Sequence, residues 1–397
     1  MTTRWITCAL LMLAMSCDGG GAPDAGTDAL ADRKREVLAS LGANVILPTY
    51  RDFAASAAAL EAATATLASD PSEANRTAAQ DAWVAAIAIW QRAEMFPIGI
   101  AGMSGTQGVV GGMDLGDEIY SFPNTITCRI DQETTEQAYL DPDAFRAERV
   151  DVRGLDSLEY LLFAPTAANT CEATHAINAE GTWAALGDAE VSARRAAYAH
   201  TLAVLVKRHA DALVSAWEPD EGNFLGALST AGEGGSPFRS AQHGLNDLAG
   251  QLIAYADAMM KDMKIGEPAG ILRCPATTCL DQLESPWAHR SKDHVLVNLR
   301  SLETLVLGAP PGTEALGIDD LLIEIGAGET ATELVSAIEG AIAAVEALEG
   351  DLTTAIETDR AGVMAAFDAM TTAVTLLKSD LVTLLDVELP ANFGDND

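Results

Sequence analysis

Along this chain β-branched residues rarely alternate with polar ones over a strand's length, and apolar residues instead recur at steps of three and four, the period of helices with one buried face. A first run starts near residue 30 and pauses at Pro48, and a second covers residues 50–67. Asp70, Pro71 and Glu73 then have the spacing of a capping box, with an acceptor at the N-cap, Pro at the first helical position and Glu at the third. The helix they predict carries Trp83, Ile87, Trp90 and Glu94 on one stripe, which ends in an acid.

Further helices are predicted from residue 154, over 187–217 and 237–264, and over 291–307, 329–349 and 359–386, with Gly308 and Gly350 as C-terminal stops. The 187–217 helix aligns Val191, Tyr198, Leu202, Leu205, His209 and Leu213, and places His209 in a packed apolar face. Residues 97–126 break the pattern: they are Gly-rich and lack a steady period over a length unusual for a connector. No phosphate-binding glycine motif occurs in them. The fold class is therefore all-α. Gly, Ser and Pro cluster at 229–237, dividing the chain into a helical half over 30–230 and a second over 231–397. The halves are of similar size, as an internal duplication would leave them, although no residue-level repeat is visible.

Composition changes this picture in three ways. The 397 residues are 49% hydrophobic, enough for packed cores rather than disorder. The formal net charge of −34, from 58 acids against 24 bases, repels nucleic acid and anionic lipid surfaces and excludes both as ligands. The first sixteen residues, with Arg4 before an apolar run through Met15, read as a signal peptide too short to span a membrane. Cys17 follows "LAMS", which resembles a bacterial lipobox, so lipidation at Cys17 is expected, with residues 17–29 as a flexible tether. Beyond it nothing reads as a transmembrane span. The protein is thus expected to be exported to the cell envelope and to touch a membrane only through its lipid anchor, facing the periplasm or the cell surface.

Setting aside Cys8 and Cys17 leaves Cys128, Cys171, Cys274 and Cys279, an even number that suggests disulfides in an exported protein. Cys274 and Cys279 share the short loop "CPATTC", so Cys128 would pair with Cys171. The paired CxxC spacing of zinc modules is missing.

The densest chemistry is "RGLDSLEYLLF" at 153–163. Asp156 and Glu159, three apart, can present oxygens to one point. Asp156 also suits a first helical turn, where the dipole favours an acid. Glu159 lies deeper among Leu158, Tyr160, Leu161 and Leu162 and needs a partner, with Arg153, Arg194 and Arg195 available for a salt bridge. His289 and His294 are five apart, do not share a helical face, and read as surface residues or caps.

Several segments, in order, resemble the imelysin family of bacterial envelope proteins. These are "NVILPTYRDF" (44–53), "WQRAEMF" (90–96), "SFPNTITCRIDQ" (121–132), "RGLDSLEYLLF", "LESPWAHRSKDHVLVNLRSLETLVLG" (283–308) and the terminal "LPANFGDND". The family signature is GxHxxE; here Gly154 and Glu159 match while Asp156 stands at the histidine position. The resemblance implies two helical bundles with the signature near their interface. Some relatives are linked to iron uptake, and the iron-binding periplasmic components of ferrous-iron permeases share the HxxE pattern. The same resemblance names Glu94 and Glu284 as further ligands, and Asp114, Asp117 and Glu118 in the irregular segment are less specific candidates. An all-oxygen set favours iron, manganese or calcium over zinc.

The expected role is binding a metal ion or metal-bearing ligand, in iron uptake, with an envelope transport partner to receive it. The alternatives are a metal-dependent peptidase of the imelysin type and a non-catalytic structural or partner-binding lipoprotein. No HExxH helix, GxSxG elbow or Cys/His pair supports the peptidase reading.

Overall fold

The computed structural model describes residues 25–106 and 108–390; the signal peptide, Cys17 and the terminal 391–397 lie outside the described residues. No strand occurs among those described, as the three- and four-residue periodicity requires.

Helix α1 (Ala25–Leu41) passes through a π-turn at Gly42–Ile46 directly into α2 (Leu47–Ser69). Two expectations change here. Residues 25–29, read as tether, are the first turns of α1. Nor does the helix pause at Pro48, because the wider π-turn just before it lets the chain tolerate a residue with no N–H. Helix α3 (Glu73–Ala93) is entered at Ser72 without a side-chain cap, so the capping box at Asp70 does not form. Asp70 instead holds the turn, accepting from Ser72 and Asn75.

The chain continues through α4 (Thr127–Glu136), α5 (Gly154–Phe163), α6 (Thr182–Trp217), α7 (Ala241–Ala254) and a π-helical segment, Tyr255–Gly266. Helices α8 (Ser291–Leu307), α9 (Ile318–Glu324), α10 (Gly328–Glu346) and α11 (Arg360–Leu376) complete the main framework. Helix α2 lies between α3 and α6; α5 packs on α6 and α3; α8 bridges α3 to α10, and α10 packs on α11. One contiguous hydrophobic core includes residues from both sides of residue 230, from Val37 and Phe53 to Leu302 and Met370. By length and composition the run Arg360–Leu385 could cross a membrane. Its Val363, Ala366, Met370 and Leu377 instead form a buried stripe in this core.

Both expected disulfides form. Cys128–Cys171 ties the start of α4 to the loop after α5, and Cys274–Cys279 closes a short loop.

Candidate metal-binding site

Helix α5 can form where it does because its first residue is glycine. Gly154 has φ +84°, and a Cβ there would stand 2.8 Å from the Ile119 carbonyl oxygen. Residues Gly154 to Leu162 are all buried, acids included. Polar residues in such a place need partners, and the partners explain the architecture.

Asp156 occupies the first turn of α5, and its Oδ2 accepts from the Ser121 hydroxyl at 2.6 Å and from the Thr125 hydroxyl. Burial raises its carboxyl to about 6, against the pull of these donors. Glu159 has none of the arginine partners expected for it. Arg153 pairs with Glu118, Arg194 with Glu190 and Arg195 with Asp131, which also accepts from Tyr160. The Glu159 partners come from a segment more than a hundred residues away. Its Oε1 accepts from the Ser285 hydroxyl at 2.9 Å and from the backbone N–H groups of Trp287 at 2.9 Å and Ala288 at 2.8 Å. Burial nevertheless pushes this carboxyl up to about 8, and the charge of Glu284 adds to the shift.

Asp156, Glu159 and Glu284 line one cavity of about 590 Å³, together with Glu267, Asp281 and Trp287. A larger and shallower groove of about 900 Å³ runs between α10 and α11 beside Thr332, Ser336, Thr371 and Thr375. The only acids lining it, Glu329 and Glu333, are exposed, whereas Asp156, Glu159 and Glu284 are buried.

Glu94 stands behind the cavity wall, joined to Glu284 through Lys264, whose Nζ is 3.0 Å from Glu94 and 2.8 Å from Glu284. Burial raises the Glu94 carboxyl, whereas Lys264 and His294 outweigh burial at Glu284 and hold it below the usual range. The first-half acids Asp114, Asp117 and Glu118 do not reach the cavity: Asp114 accepts from Ser104, and Glu118 pairs with Arg153.

Of three histidine expectations, two need revising. His294 is buried, not a surface residue or cap; its Nδ1 is 3.2 Å from Glu284 Oε2, with angles short of a hydrogen bond, and its Nε2 has no partner. His289 is exposed beside Asp351, as a surface residue should be. His209 is only half-buried, 3.8 Å from Glu118, rather than packed in the core.

Sequence reasoning also missed Lys264. The signal available was a lysine inside the apolar run "MMKDMKIG", where a fully buried ammonium requires several acceptors.

The donor set facing the cavity is carboxylate oxygen, which suits a hard cation. A buried carboxyl held neutral only by its surroundings would ionise beside such a charge. Ser285 is fully enclosed and committed to Glu159, so it is no accessible nucleophile.

Comparison with curated proteins finds no match. Among solved structures, the chain is similar to a protein of Parabacteroides distasonis ATCC 8503 described as an iron-regulated protein A precursor. That likeness has a TM-score of 0.69 and 16% identity, over 92% of this chain and 97% of that one. It is also similar to an imelysin-like protein of Psychrobacter arcticum 273-4, with a TM-score of 0.68 and 18% identity over 90% and 97% of the two chains. At these identities the likeness concerns the fold. The Imelysin family model matches residues 46–381, from the π-turn to the end of α11 and beyond, and the chain therefore belongs to the imelysin family.

Proposed function

We propose that this protein binds a hard metal ion, free or within a small metal-bearing ligand, in the acidic cavity at Glu159. The reading includes a place in the cell envelope, in iron acquisition, with a transport partner to take up the cargo. The observation that carries it is the state of Glu159. This buried carboxyl has one oxygen fixed by three donors and its proton retained up to about pH 8, and it faces a cavity also lined by Asp156, Glu267, Asp281 and Glu284 among apolar and hydroxyl side chains. A multivalent cation would balance the charge of these carboxylates. Asp156, three residues before Glu159 on α5, lines the same cavity and can share the charge. A cavity of about 590 Å³ has room for an ion with its own water or chelating groups. The family membership and the iron-regulated description of one structural relative support the assignment to iron.

The test is calorimetric titration of the purified protein with Fe³⁺ (as a soluble chelate), Mn²⁺, Ca²⁺ and Zn²⁺, beside Glu159→Ala. Saturable binding of an oxygen-preferring ion that the variant loses is expected. A folded wild-type protein that binds none of them refutes the reading.

A further inference from the structure

The surroundings of Lys264 are oxygen. Its Nζ is fully enclosed and has four oxygen neighbours: Gln91 Oε1 at 2.6 Å, Glu284 Oε1 at 2.8 Å, Asn298 Oδ1 at 2.9 Å and Glu94 Oε2 at 3.0 Å. These come from the last turn of α3 and the residue that caps it, from α8, and from the loop before α8. An ammonium has three protons, fewer than the acceptors around it.

Both amides turn oxygen inward because their nitrogens are committed elsewhere: Asn298 Nδ2 donates to the Gln91 carbonyl, and Gln91 Nε2 donates to Glu284. The two carboxylates are steadied from outside by tyrosines, Tyr255 on Glu94 and Tyr120 on Glu284. Glu284 Oε2, on a residue only 4% exposed, has no hydrogen-bond donor of good geometry. The cage is thus preorganised for a positive charge and rich in oxygen beyond what the ammonium uses.

We propose that Lys264 is a resident cation. Its ammonium fills an oxygen cage that would otherwise take a divalent metal, keeps Glu94 and Glu284 out of coordination, and confines an incoming ion to the Glu159 end of the cavity. Lys264 is in this sense a positioning residue that sets how many cations the protein holds and where. Metal–oxygen distances for Ca²⁺ are about 2.3–2.6 Å, so the ion would draw the same four oxygens in by a few tenths of an ångström. The location of the incoming ion rests on the proposed function; the nature of the cage does not.

The experiment compares wild type, Lys264→Met and Lys264→Met/Glu94→Gln in titrations with Ca²⁺ and Mn²⁺, with thermal melting in metal-free buffer and in millimolar Ca²⁺. Methionine keeps the length of the side chain and removes the charge. Lys264→Met is expected to bind one equivalent more than wild type and to melt higher with Ca²⁺ by a margin that wild type does not show. A Lys264→Met chain that folds only with Ca²⁺ supports the inference equally. The double variant should lose the added equivalent and the Ca²⁺ response. A Lys264→Met protein that folds without an added equivalent, or that stays unfolded in Ca²⁺, overturns it. Wild type that binds nothing while Lys264→Met binds one ion would sink the proposed function and leave the cage standing.

Discussion

The proton on Glu159 gives the metal reading a quantitative form. Its carboxyl ordinarily titrates at 4.5 and is raised to about 8 in the fold, so at neutral pH an incoming cation must displace a proton. Protonation competes with the metal, and affinity therefore rises with pH until the folded value is passed. One displaced proton corresponds to about tenfold in affinity, or about 1.4 kcal/mol, per pH unit. From pH 6 to 8 the gain should approach ~100-fold and then level off. Asp156 titrates about two units lower, near 6, so the slope above that value reports Glu159 alone. Below it the slope steepens toward two protons if Asp156 coordinates, and stays at one if Asp156 only starts the helix.

The same shift acts on the metal-free fold with a definite sign. A carboxyl whose folded value is raised holds its proton more firmly in the native state. Its contribution to stability is complete below 4.5 and is lost as pH rises through about 8. The loss from this group is on the order of 4–5 kcal/mol, and bound metal should offset it. The assay is Mn²⁺ calorimetry at pH steps in two buffers of different protonation enthalpy, which counts released protons directly. A flat affinity between pH 6 and 8, or the same slope in Glu159→Gln, would refute the reasoning.

Three further outcomes follow from the packing. Gly154→Ala should cost roughly 1–3 kcal/mol in thermal or urea unfolding because it meets the Ile119 carbonyl at positive φ, whereas Gly340→Ala, in open space on α10, should be neutral or stabilising. Arg195→Met strands Asp131 in the core and should cost about 3–5 kcal/mol, with Arg195→Met/Asp131→Asn recovering part of it; equal losses would deny the pair its role. Loop-closure entropy assigns about 4 kcal/mol to Cys128–Cys171, separated by 43 residues, and about 2 kcal/mol to Cys274–Cys279, separated by 5, so paired serine variants should rank in that order in urea.

The helices were legible because their signal is periodic: 291–307 is Ser291–Leu307 to the residue, and the breaks at Gly308 and Gly350 fall at positive φ. Asp156 and Glu159 were legible as a pair because three residues on a helix is a local relation. What holds Glu159 was not. Its donors, Ser285, Trp287 and Ala288, are set by how distant segments dock, and two of them are backbone groups that no side-chain pattern announces. The burial of Lys264 and His294 was hard to read for a related reason. Charge in an apolar run looks like a solvated edge until tertiary packing closes over it. Pro48 misled in the opposite sense, since its usual helix-breaking effect was absorbed by five residues of wider helix just upstream.

Under the proposed function, the cradle of Glu159 would report what the cavity holds. Hydrogen bonds to an ionised carboxylate are roughly twice as strong as those to a neutral one. A cation that draws the proton from Glu159 therefore tightens three bonds at once, all of them to residues 285–288, the strap that leads into α8. If the proposed ion binds, the strap should stiffen from beneath, and amide exchange at Trp287 and Ala288 should slow while the surrounding helices stay as they were. On that reading, a surface that distinguishes a firm strap from a loose one would tell a loaded protein from an empty one without touching the metal.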